Sequence, residues 1–449
     1  MPERKLTKRD YLVISSMLFA LFFGAGNLIF PIHLGQLAGN QWLPAVLGFL
    51  TTAVFLPLLS VLAISVTHSD GVYDIGRPVG AKFALIFMVL IQATIGPLFG
   101  TPRTATVSYT VGIAPLIPAR YQAMGLLIFT ALFFGTAFFF ARKQNKIISS
   151  VGKILNPLFL ILLFVVFFIA FMNPMGDPAT VKATADYTSG AFINGFLQGY
   201  NTMDALGGLA FGVTIVTTIK MLGKTKDSEI ALITARSGVI AMGAEAVIYV
   251  ALVLIGAMSL GTFKLSADGG VAFSQMVTHY SGVAGQALLA TLIVLTCLTT
   301  AIGLLAAFAQ DFHKHFPKVS YPTWLLVTSV LSFLFANLGL TKIIAWSLPI
   351  LMLLYPIAMV LIVLAVTSPL FKNVRIVYQV AITLTIIPAV LDMISAFPAV
   401  ISQSGFGGWV TKLRMTYLPL AAVGLDWVPF AVVGVACGLL IYLYQRRKK

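Results

Sequence analysis

The sequence predicts an all-α membrane protein that crosses the bilayer about twelve times. Of its 449 residues, 59% are hydrophobic and 10% are charged, and the mean hydropathy is +0.97, far more apolar than a soluble domain. Apolar runs of about 18 to 25 residues, long enough to cross the bilayer as helices, recur from Tyr11 to Tyr444. A membrane β-barrel would need alternating segments of about ten residues instead. The polytopic fold is therefore predicted to be helical.

Twelve apolar segments are predicted to be the transmembrane helices, each flanked by polar or charged residues. In order, they are 11–37, 43–66, 83–112, 123–141, 147–172, 191–217, 229–260, 284–311, 320–338, 343–366, 374–396 and 425–444. The longest hydrophilic connections, 173–190 and 261–283, are too short for a separate folded domain. Function is therefore expected within the helical bundle.

The basic residues predict the orientation of these helices. The formal net charge is +15, but the lysines and arginines are spread over short loops instead of forming one nucleic-acid-binding region. With both termini in the cytoplasm, 22 of the 29 basic residues lie on the cytoplasmic side and Arg103 lies at membrane depth. The outside set is only Arg120, Lys182, Lys264, Lys342, Lys412 and Arg414. This asymmetry predicts a multi-pass protein of the plasma (inner, cytoplasmic) membrane with cytoplasmic termini.

Helices one and six both carry residues that interrupt a helix. GAGNLIFP, at Gly24 to Pro31, combines two glycines, an asparagine and a proline, and GFLQGYNTMDALGGLAFG at 195–212 has a similar cluster. The two helices are five apart, and because five is odd, two five-helix units cross the membrane in opposite senses, as in an inverted repeat. The predicted organisation is a first repeat at 1–172 (helices one to five), a second at 191–366 (helices six to ten), and helices eleven and twelve with a basic tail at 374–449.

Broken helices at membrane depth imply ligands. Unwound backbone is tolerated there only where it is buried in protein or lines a cavity. The amino terminus of a half-helix presents N–H groups to a carboxylate, and carbonyls freed at the break coordinate a small cation. The two breaks therefore predict a site suited to an amino acid and sodium.

Two motifs resemble a known family. GAGNLIFP resembles the glycine-rich break of leucine-transporter-fold symporters, and IGPLFGTPRTATVSY, at Ile95 to Tyr109, is similar to the third-helix signature of bacterial branched-chain amino acid:cation symporters, the LIVCS family. The likeness covers about Leu6 to Tyr444. It implies a leucine-transporter-like fold and uptake of leucine, isoleucine and valine with Na⁺ or H⁺, and the broken helices favour transport by alternating access. The alternative is a proton-coupled transporter of another small neutral amino acid. No cofactor is expected besides the coupling ion.

The resemblance also implies a sodium site. In TCLTTAIG of helix eight, Thr299 and Thr300 occupy the hydroxyl pair that meets helix one in leucine-transporter-like folds. By the same resemblance, carbonyls of Thr296, Ala20 and Phe23 complete the Na⁺ ligands, and neutral oxygens suit such a hard cation. Threonines in membrane helices also commonly hydrogen-bond within their own helix. Beside the break in helix one, the ion site is favoured.

The predicted substrate-binding residues lie at the two breaks. They are Gly24, Ala25, Gly26, Asn27, Asp204, Leu206, Gly207 and Phe211. Asn27 has two compatible roles, either facing the substrate carboxylate or a second ion, or capping the second half-helix. Asp204 is an ionisable group at membrane depth, and because such groups are costly there, a functional role is the first hypothesis. It is expected to face the substrate ammonium, bind the ion or carry a coupling proton, with capping as the alternative.

Three other charged residues fall at membrane depth. Arg103 follows a glycine and a proline in helix three, and a role in locking helix three to a partner is favoured over contact with substrate. Glu245 in helix seven and Asp392 in helix eleven fit a coupling role and a packing role equally well. The cysteines Cys297 and Cys437 are too few and too far apart for a disulfide framework, and both are expected to be buried.

Other classes of function have less support. The string Gly223-Lys224-Thr225 lacks the upstream glycine of a phosphate loop, so ATP-driven transport is not expected. The five histidines lie near helix ends without HExxH or paired carboxylates, so the protein is predicted not to be an enzyme. An ion channel is the second class, although no filter-like string is present. Expected partners are the small-molecule substrates and membrane lipid, with no nucleic acid and no obligate protein partner.

Overall fold

The computed structural model describes residues 6–24, 26–143 and 146–447, with the backbone alone at 143, 146–156 and 283. Over this range the secondary structure is helical, without strands. The α-helices are α1 Lys8–Phe22, α2 Gly26–Ala38, α3 Trp42–Leu50, α4 Leu56–Thr67, α5 Val72–Gly76, α6 Ala81–Ala93, α7 Gly100–Ser108, α8 Gln122–Lys143, α9 Lys146–Met172, α10 Ala185–Gln198, α11 Asp204–Phe211, α12 Val213–Met221, α13 Asp227–Ser259, α14 Gly269–His315, α15 Tyr321–Ala336, α16 Leu340–Thr367, α17 Arg375–Ala396, α18 Ala399–Ser402, α19 Gly405–Tyr417 and α20 Trp427–Arg447.

The first transmembrane segment consists of α1 and α2. A capping box starts α1, in which the Thr7 N–H donates to the Asp10 carboxylate at 2.7 Å and the Asp10 N–H donates to the Thr7 hydroxyl at 3.3 Å. The helix ends at Phe22, and Phe23 has extended backbone with ψ of 100°. A new helix starts at Gly26. The interruption coincides with the glycines of the predicted break.

The sixth segment is interrupted twice. After α10, a 3₁₀ turn at Gly199–Thr202 leads to Met203, which has left-handed backbone with φ of 63°. This conformation is uncommon for a residue with a side chain and ends the helix. The next helix, α11, starts at Asp204, and α12 bends away from it by 47° after Phe211. These positions agree with the predicted interruption.

The predicted count of twelve segments is consistent with the described helices. Eight of them are long and apolar enough to span a membrane, or nine if the bent pair of the sixth segment is included. The first segment is divided into pieces of 15 and 13 residues, and α15 has only 16 residues. Segments that are broken or short therefore fail a criterion based on helix length, although they belong to the predicted twelve. The all-α architecture predicted from the sequence is confirmed over the described residues.

The four helices around the breaks pack in two pairs. The first segment packs against the seventh through α2 and α13, and the second packs against the sixth through α3 and α10. A Cβ on Gly35 would lie 2.0 Å from the Val253 carbonyl oxygen, and one on Gly195 would lie 1.9 Å from the Ala45 carbonyl oxygen. Only glycine permits such approaches. This pairing is what a repeat relating segments one to six and two to seven would produce, although the boundaries of the repeats stay a prediction.

Some elements were not anticipated. The connection after the seventh segment is helical from Gly269, and Gly282 with φ of 62° separates this part of α14 from the eighth segment. The connection between segments eleven and twelve contains α19, which packs on α17. Cys297 is buried as expected, whereas the expectation for Cys437 is wrong. That residue is exposed because α20 packs at the periphery, mainly against α17.

Candidate functional site

Asn27 organises the break in the first segment. Its side-chain oxygen accepts a hydrogen bond from the Gly24 N–H at 2.9 Å, and its own backbone N–H donates to the Gly24 carbonyl at 3.2 Å. Asparagine therefore satisfies backbone groups that the break leaves without helical partners. The side-chain oxygen of Asn27 therefore bonds to the break itself, since Gly24 precedes α2, and the expected cap on the second half-helix stays a prediction.

The other half of the Asn27 side chain meets two acids from distant segments. Its amide nitrogen donates to Asp204 Oδ2 at 2.7 Å and to Glu245 Oε1 at 3.1 Å, and it also lies in close contact with the Tyr249 hydroxyl. The Tyr249 hydroxyl in turn donates to Glu245 Oε1 at 2.7 Å. We call Asn27, Asp204, Glu245, Tyr249 and Arg103 the central cluster. It joins segments one, three, six and seven.

The two carboxylates of the central cluster are deeply buried. Asp204 is 6% exposed and Glu245 is fully buried. Glu245 Oε2 has no hydrogen-bond partner among the described residues. The groups that contact these acids, an amide and a phenol, are neutral, and a buried negative charge is costly without a positive partner. The two carboxylates would therefore be stabilised by a cationic group in contact with them.

Arg103 is the cation of the central cluster and is 3% exposed. Its guanidinium donates to the Asn201 carbonyl at 2.5 Å and to the Ser347 hydroxyl at 3.3 Å, and it lies 4.7 Å from the centroid of the Phe30 ring. Among the described residues, no carboxylate lies within ion-pair distance of it. These contacts join helix three to segments one, six and ten, which agrees with the locking role expected for Arg103.

A cavity of about 110 Å³ lies between the breaks and adjoins this cluster. Segments one, three, six and eight surround it. Predicted site residues on its wall are Gly24, Gly26, Asn27, Arg103, Asp204, Gly207, Phe211 and Thr300. The structure therefore brings residues that are up to 276 positions apart in the sequence, from Gly24 to Thr300, around one small space.

Among the described residues, one predicted substrate residue, Leu206, is not on this wall. Leu206 is fully buried in the packed core, because it lies on a different side of the short helix α11 from Gly207 and Phe211. Ala25 lies outside the described residues. A helix presents only part of its surface to a cavity, so neighbouring residues at the break face different surroundings. The substrate-binding set stays a prediction.

Sequence reasoning missed about half of the cavity wall. The additional lining residues are Leu21, Phe22, Ile95, Gly100, Thr104, Thr202, Met203 and Leu304. Leu304 lies about one helical turn after Thr300 in α14, so helical spacing from that threonine is the signal that would have found it. The apolar members give the cavity walls suited to an aliphatic side chain.

Of the three threonines of the predicted sodium site, Thr300 lines this cavity. The hydroxyls of Thr299 and Thr300 both donate to the Thr296 carbonyl, at 2.8 and 3.0 Å. This is the hydrogen-bonding pattern within one helix that threonines commonly adopt, although each hydroxyl oxygen keeps a lone pair for a cation. Ala20 is exposed and Phe23 is half-buried at the end of the first half-helix. The sodium site stays a prediction.

Asp392 belongs to a second buried cluster. Arg414 Nε lies 2.5 Å from Asp392 Oδ1 and 2.9 Å from Asp426 Oδ2, and the same guanidinium donates to the Ala421 carbonyl at 2.9 Å. We call Asp392, Arg414 and Asp426 the peripheral cluster. It ties α17 to α19 and to the start of α20, which fits the packing role considered for Asp392.

A larger cavity of about 730 Å³ lies elsewhere, between helix three and the first part of α14. The acid on its wall is Asp268, which already accepts hydrogen bonds from the N–H groups of Gly270 and Val271 and from the Thr341 hydroxyl. Its charge is therefore satisfied locally. The smaller cavity at the breaks is the better candidate, because among the described residues its two ionisable groups, Arg103 and Asp204, form no direct ion pair.

Fold and site together define a helical membrane transport protein with broken segments one and six. The crystal structure of MhsT in complex with L-phenylalanine has a TM-score of 0.56 at 16% identity, covering 97% of this chain and all of that one. Mhp1, a nucleobase-cation-symport-1 family transporter in a closed conformation with bromovinylhydantoin bound, has a TM-score of 0.52 at 14% identity, with 93% and 96% covered. The family model described as branched-chain amino acid transport protein matches residues 7–445. The chain belongs to this family.

Relatives of similar length support the same assignment. The chain is 43% identical over 435 residues to the branched-chain amino acid permease BrnQ of Lactobacillus delbrueckii subsp. lactis, with 96% of both chains covered. It is 38% identical to the permease BraB of Bacillus subtilis, with 98% of this chain and 97% of the relative covered. The family expected from the two motifs is confirmed. Because these relatives are permeases, the expectation of a transporter and not an enzyme is also confirmed.

Proposed function

We propose that the protein is a secondary active transporter that imports leucine, isoleucine and valine across the cytoplasmic membrane in symport with a cation, by alternating access. The cavity between the two breaks carries this proposal. It combines an acid, Asp204, with the amino terminus of α2 and with apolar side chains, among them Phe22, Ile95 and Phe211. The names of the relatives, branched-chain amino acid permeases, support the same cargo.

The substrate is proposed to lie with its polar end at the breaks. The ammonium group pairs with Asp204, and the carboxylate faces the N–H groups at the start of α2, where the helix dipole favours negative charge. The aliphatic side chain packs against the apolar wall. Since one methylene changes binding by only about 1 to 3 kcal/mol in such a pocket, the three branched-chain amino acids are expected to share it.

The charges of the central cluster support cation coupling. We propose that substrate and cation bind the form in which Asp204, Glu245 and Arg103 are all ionised, which has one more negative than positive charge. A zwitterionic amino acid adds no net charge, so one additional cation is needed for neutrality at membrane depth. Na⁺ at the Thr299 and Thr300 pair is the favoured ion. H⁺ is the alternative, supported by the Glu245 oxygen that has no partner among the described residues.

Leucine uptake into proteoliposomes tests this function. An inward Na⁺ gradient is expected to drive accumulation above equilibrium, whereas an H⁺ gradient alone is expected to do so only if the buried acids carry the coupling proton. Glu245→Gln separates the two: it should abolish H⁺-driven accumulation while leucine exchange persists. Glu229→Gln is the matched control, because this acid lies on the same helix but pairs with Lys224 at 2.9 Å near the surface. Absence of gradient-driven uptake for all three amino acids would refute the proposed function.

A further inference from the structure

Arg103 lies at the same end of the cavity as the start of α2. A Cβ built on Gly26, the first residue of α2, would be 3.7 Å from Arg103 Nη1, and both residues line the cavity. The guanidinium is thus next to backbone N–H groups that also favour an anion. Two independent features, a helix amino terminus and a buried cation, converge on one end of the cavity.

The groups in direct contact with Arg103 are all neutral. Asn201 contributes a carbonyl, Ser347 a hydroxyl and Phe30 the face of its ring. The Nε atom has no hydrogen-bond partner among the described residues, although the side chain is only 3% exposed. A cation buried at membrane depth is stabilised most by an anion in direct contact. Contacts that only hold the side chain in place do not provide one.

We infer that Arg103 binds the carboxylate of the transported amino acid, an inference that rests on the proposed function. The planar guanidinium matches a carboxylate with two parallel hydrogen bonds, which lysine does not reproduce. Its neutral contacts then orient the donors toward the cavity. Asp204 and Arg103 together select a molecule that has both an ammonium and a carboxylate. The locking role favoured from the sequence describes how Arg103 is held, and carboxylate binding is its function.

Competition binding with the purified full-length protein in nanodiscs tests this inference. The probe is radiolabelled leucine, and the competitors are leucine and leucinol, which keeps the ammonium and the isobutyl group but lacks the carboxylate. The wild-type protein is expected to prefer leucine over leucinol by at least about tenfold, because hydrogen bonds between charged groups contribute that much. In Arg103→Met this preference should fall by about tenfold. Arg103→Lys should have an intermediate preference.

The controls separate this inference from the proposed function. If the wild-type protein binds no leucine, the proposed function fails and the inference fails with it. If the wild-type protein binds leucine and either Arg103 variant keeps the wild-type preference over leucinol, only the inference is overturned. Should Arg103→Met not fold, the lysine variant decides the result. Arg414→Gln removes a buried arginine from the peripheral cluster, and it is expected to change thermal stability without changing the preference.

Discussion

The central and peripheral clusters contain the same formal charges in different arrangements. Each has two buried carboxylates and one arginine. In the peripheral cluster, Arg414 lies against both acids, at 2.5 and 2.9 Å. In the central cluster, neutral groups contact Arg103, and an asparagine and a tyrosine contact the two acids.

This difference separates a structural ion pair from a site prepared for a ligand. When an arginine contacts its acids directly, the charges compensate one another and the helices are joined. When opposite charges beside a cavity form no direct ion pair, a charged ligand that binds in the cavity can neutralise them. The role of a buried charge in a membrane protein, structural or ligand-binding, is therefore inferred better from the position of its nearest opposite charge than from its burial.

The largest expected effect is on the peripheral cluster. Arg414→Gln leaves two acids at 3% and 0% exposure without their cation, and breaking a buried pair in this way costs about 3 to 5 kcal/mol. The thermal unfolding midpoint of the purified protein should fall, whereas the KM of the remaining folded transporter should stay near the wild-type value. Arg120→Gln, in an exposed loop, is the control. A normal midpoint for Arg414→Gln would refute the structural role.

The next largest effect is expected on the central cluster, where a substitution should reduce transport and leave stability nearly unchanged. Asp204→Asn keeps the shape of the side chain but removes the charge that faces the ammonium, and a charged hydrogen bond contributes about 1.5 to 3 kcal/mol. Leucine uptake at low concentration should fall at least about tenfold with little change in the unfolding midpoint. Asp392→Asn should keep uptake within about twofold, because Arg414 retains Asp426. Equal uptake by the two variants would remove the distinction between the clusters.

The smallest effect concerns the edge of the central cavity. Thr300→Ala removes a hydroxyl proposed as a Na⁺ ligand, so half-maximal uptake should need several-fold more Na⁺, corresponding to about 1 kcal/mol. The matched control is Thr291→Ala, an exposed threonine of the same helix whose hydroxyl also donates within the helix, to Ala287 at 2.8 Å. If both variants have the wild-type Na⁺ dependence at normal protein abundance, the ion-site assignment is wrong.

Local chemistry made the helix interruptions predictable. Glycines, Asn27 and Pro31 interrupt an apolar run within a few residues, and Asp204 stands out because charges are rare at membrane depth. These signals are present in the local sequence and do not depend on which residues pack together in the folded protein. They located the two breaks and placed most of the proposed site residues on the wall of one cavity.

The partners of these residues depend on packing and were not predictable. Nothing in the sequence around Asn27 indicates that its amide meets Glu245 and Tyr249, because the contact depends on the rotation of α13. Leu206 and Leu304 are similar apolar residues, yet only Leu304 lines the cavity. Arg414 was assigned to an outer loop, and its pairing with Asp392 required α19, which carries it back toward α17.

The charge imbalance of the central cluster has an electrical consequence. If both acids of the empty site are ionised, as proposed, the site carries one net negative charge, and it carries none when it holds an amino acid and one cation. A transmembrane voltage does work only on net charge, up to about 2.3 kcal/mol per charge for each 100 mV. The voltage would therefore act on the return of the empty site and not on the loaded transition. A potential that is negative inside would favour the empty site facing outward, ready for the next substrate.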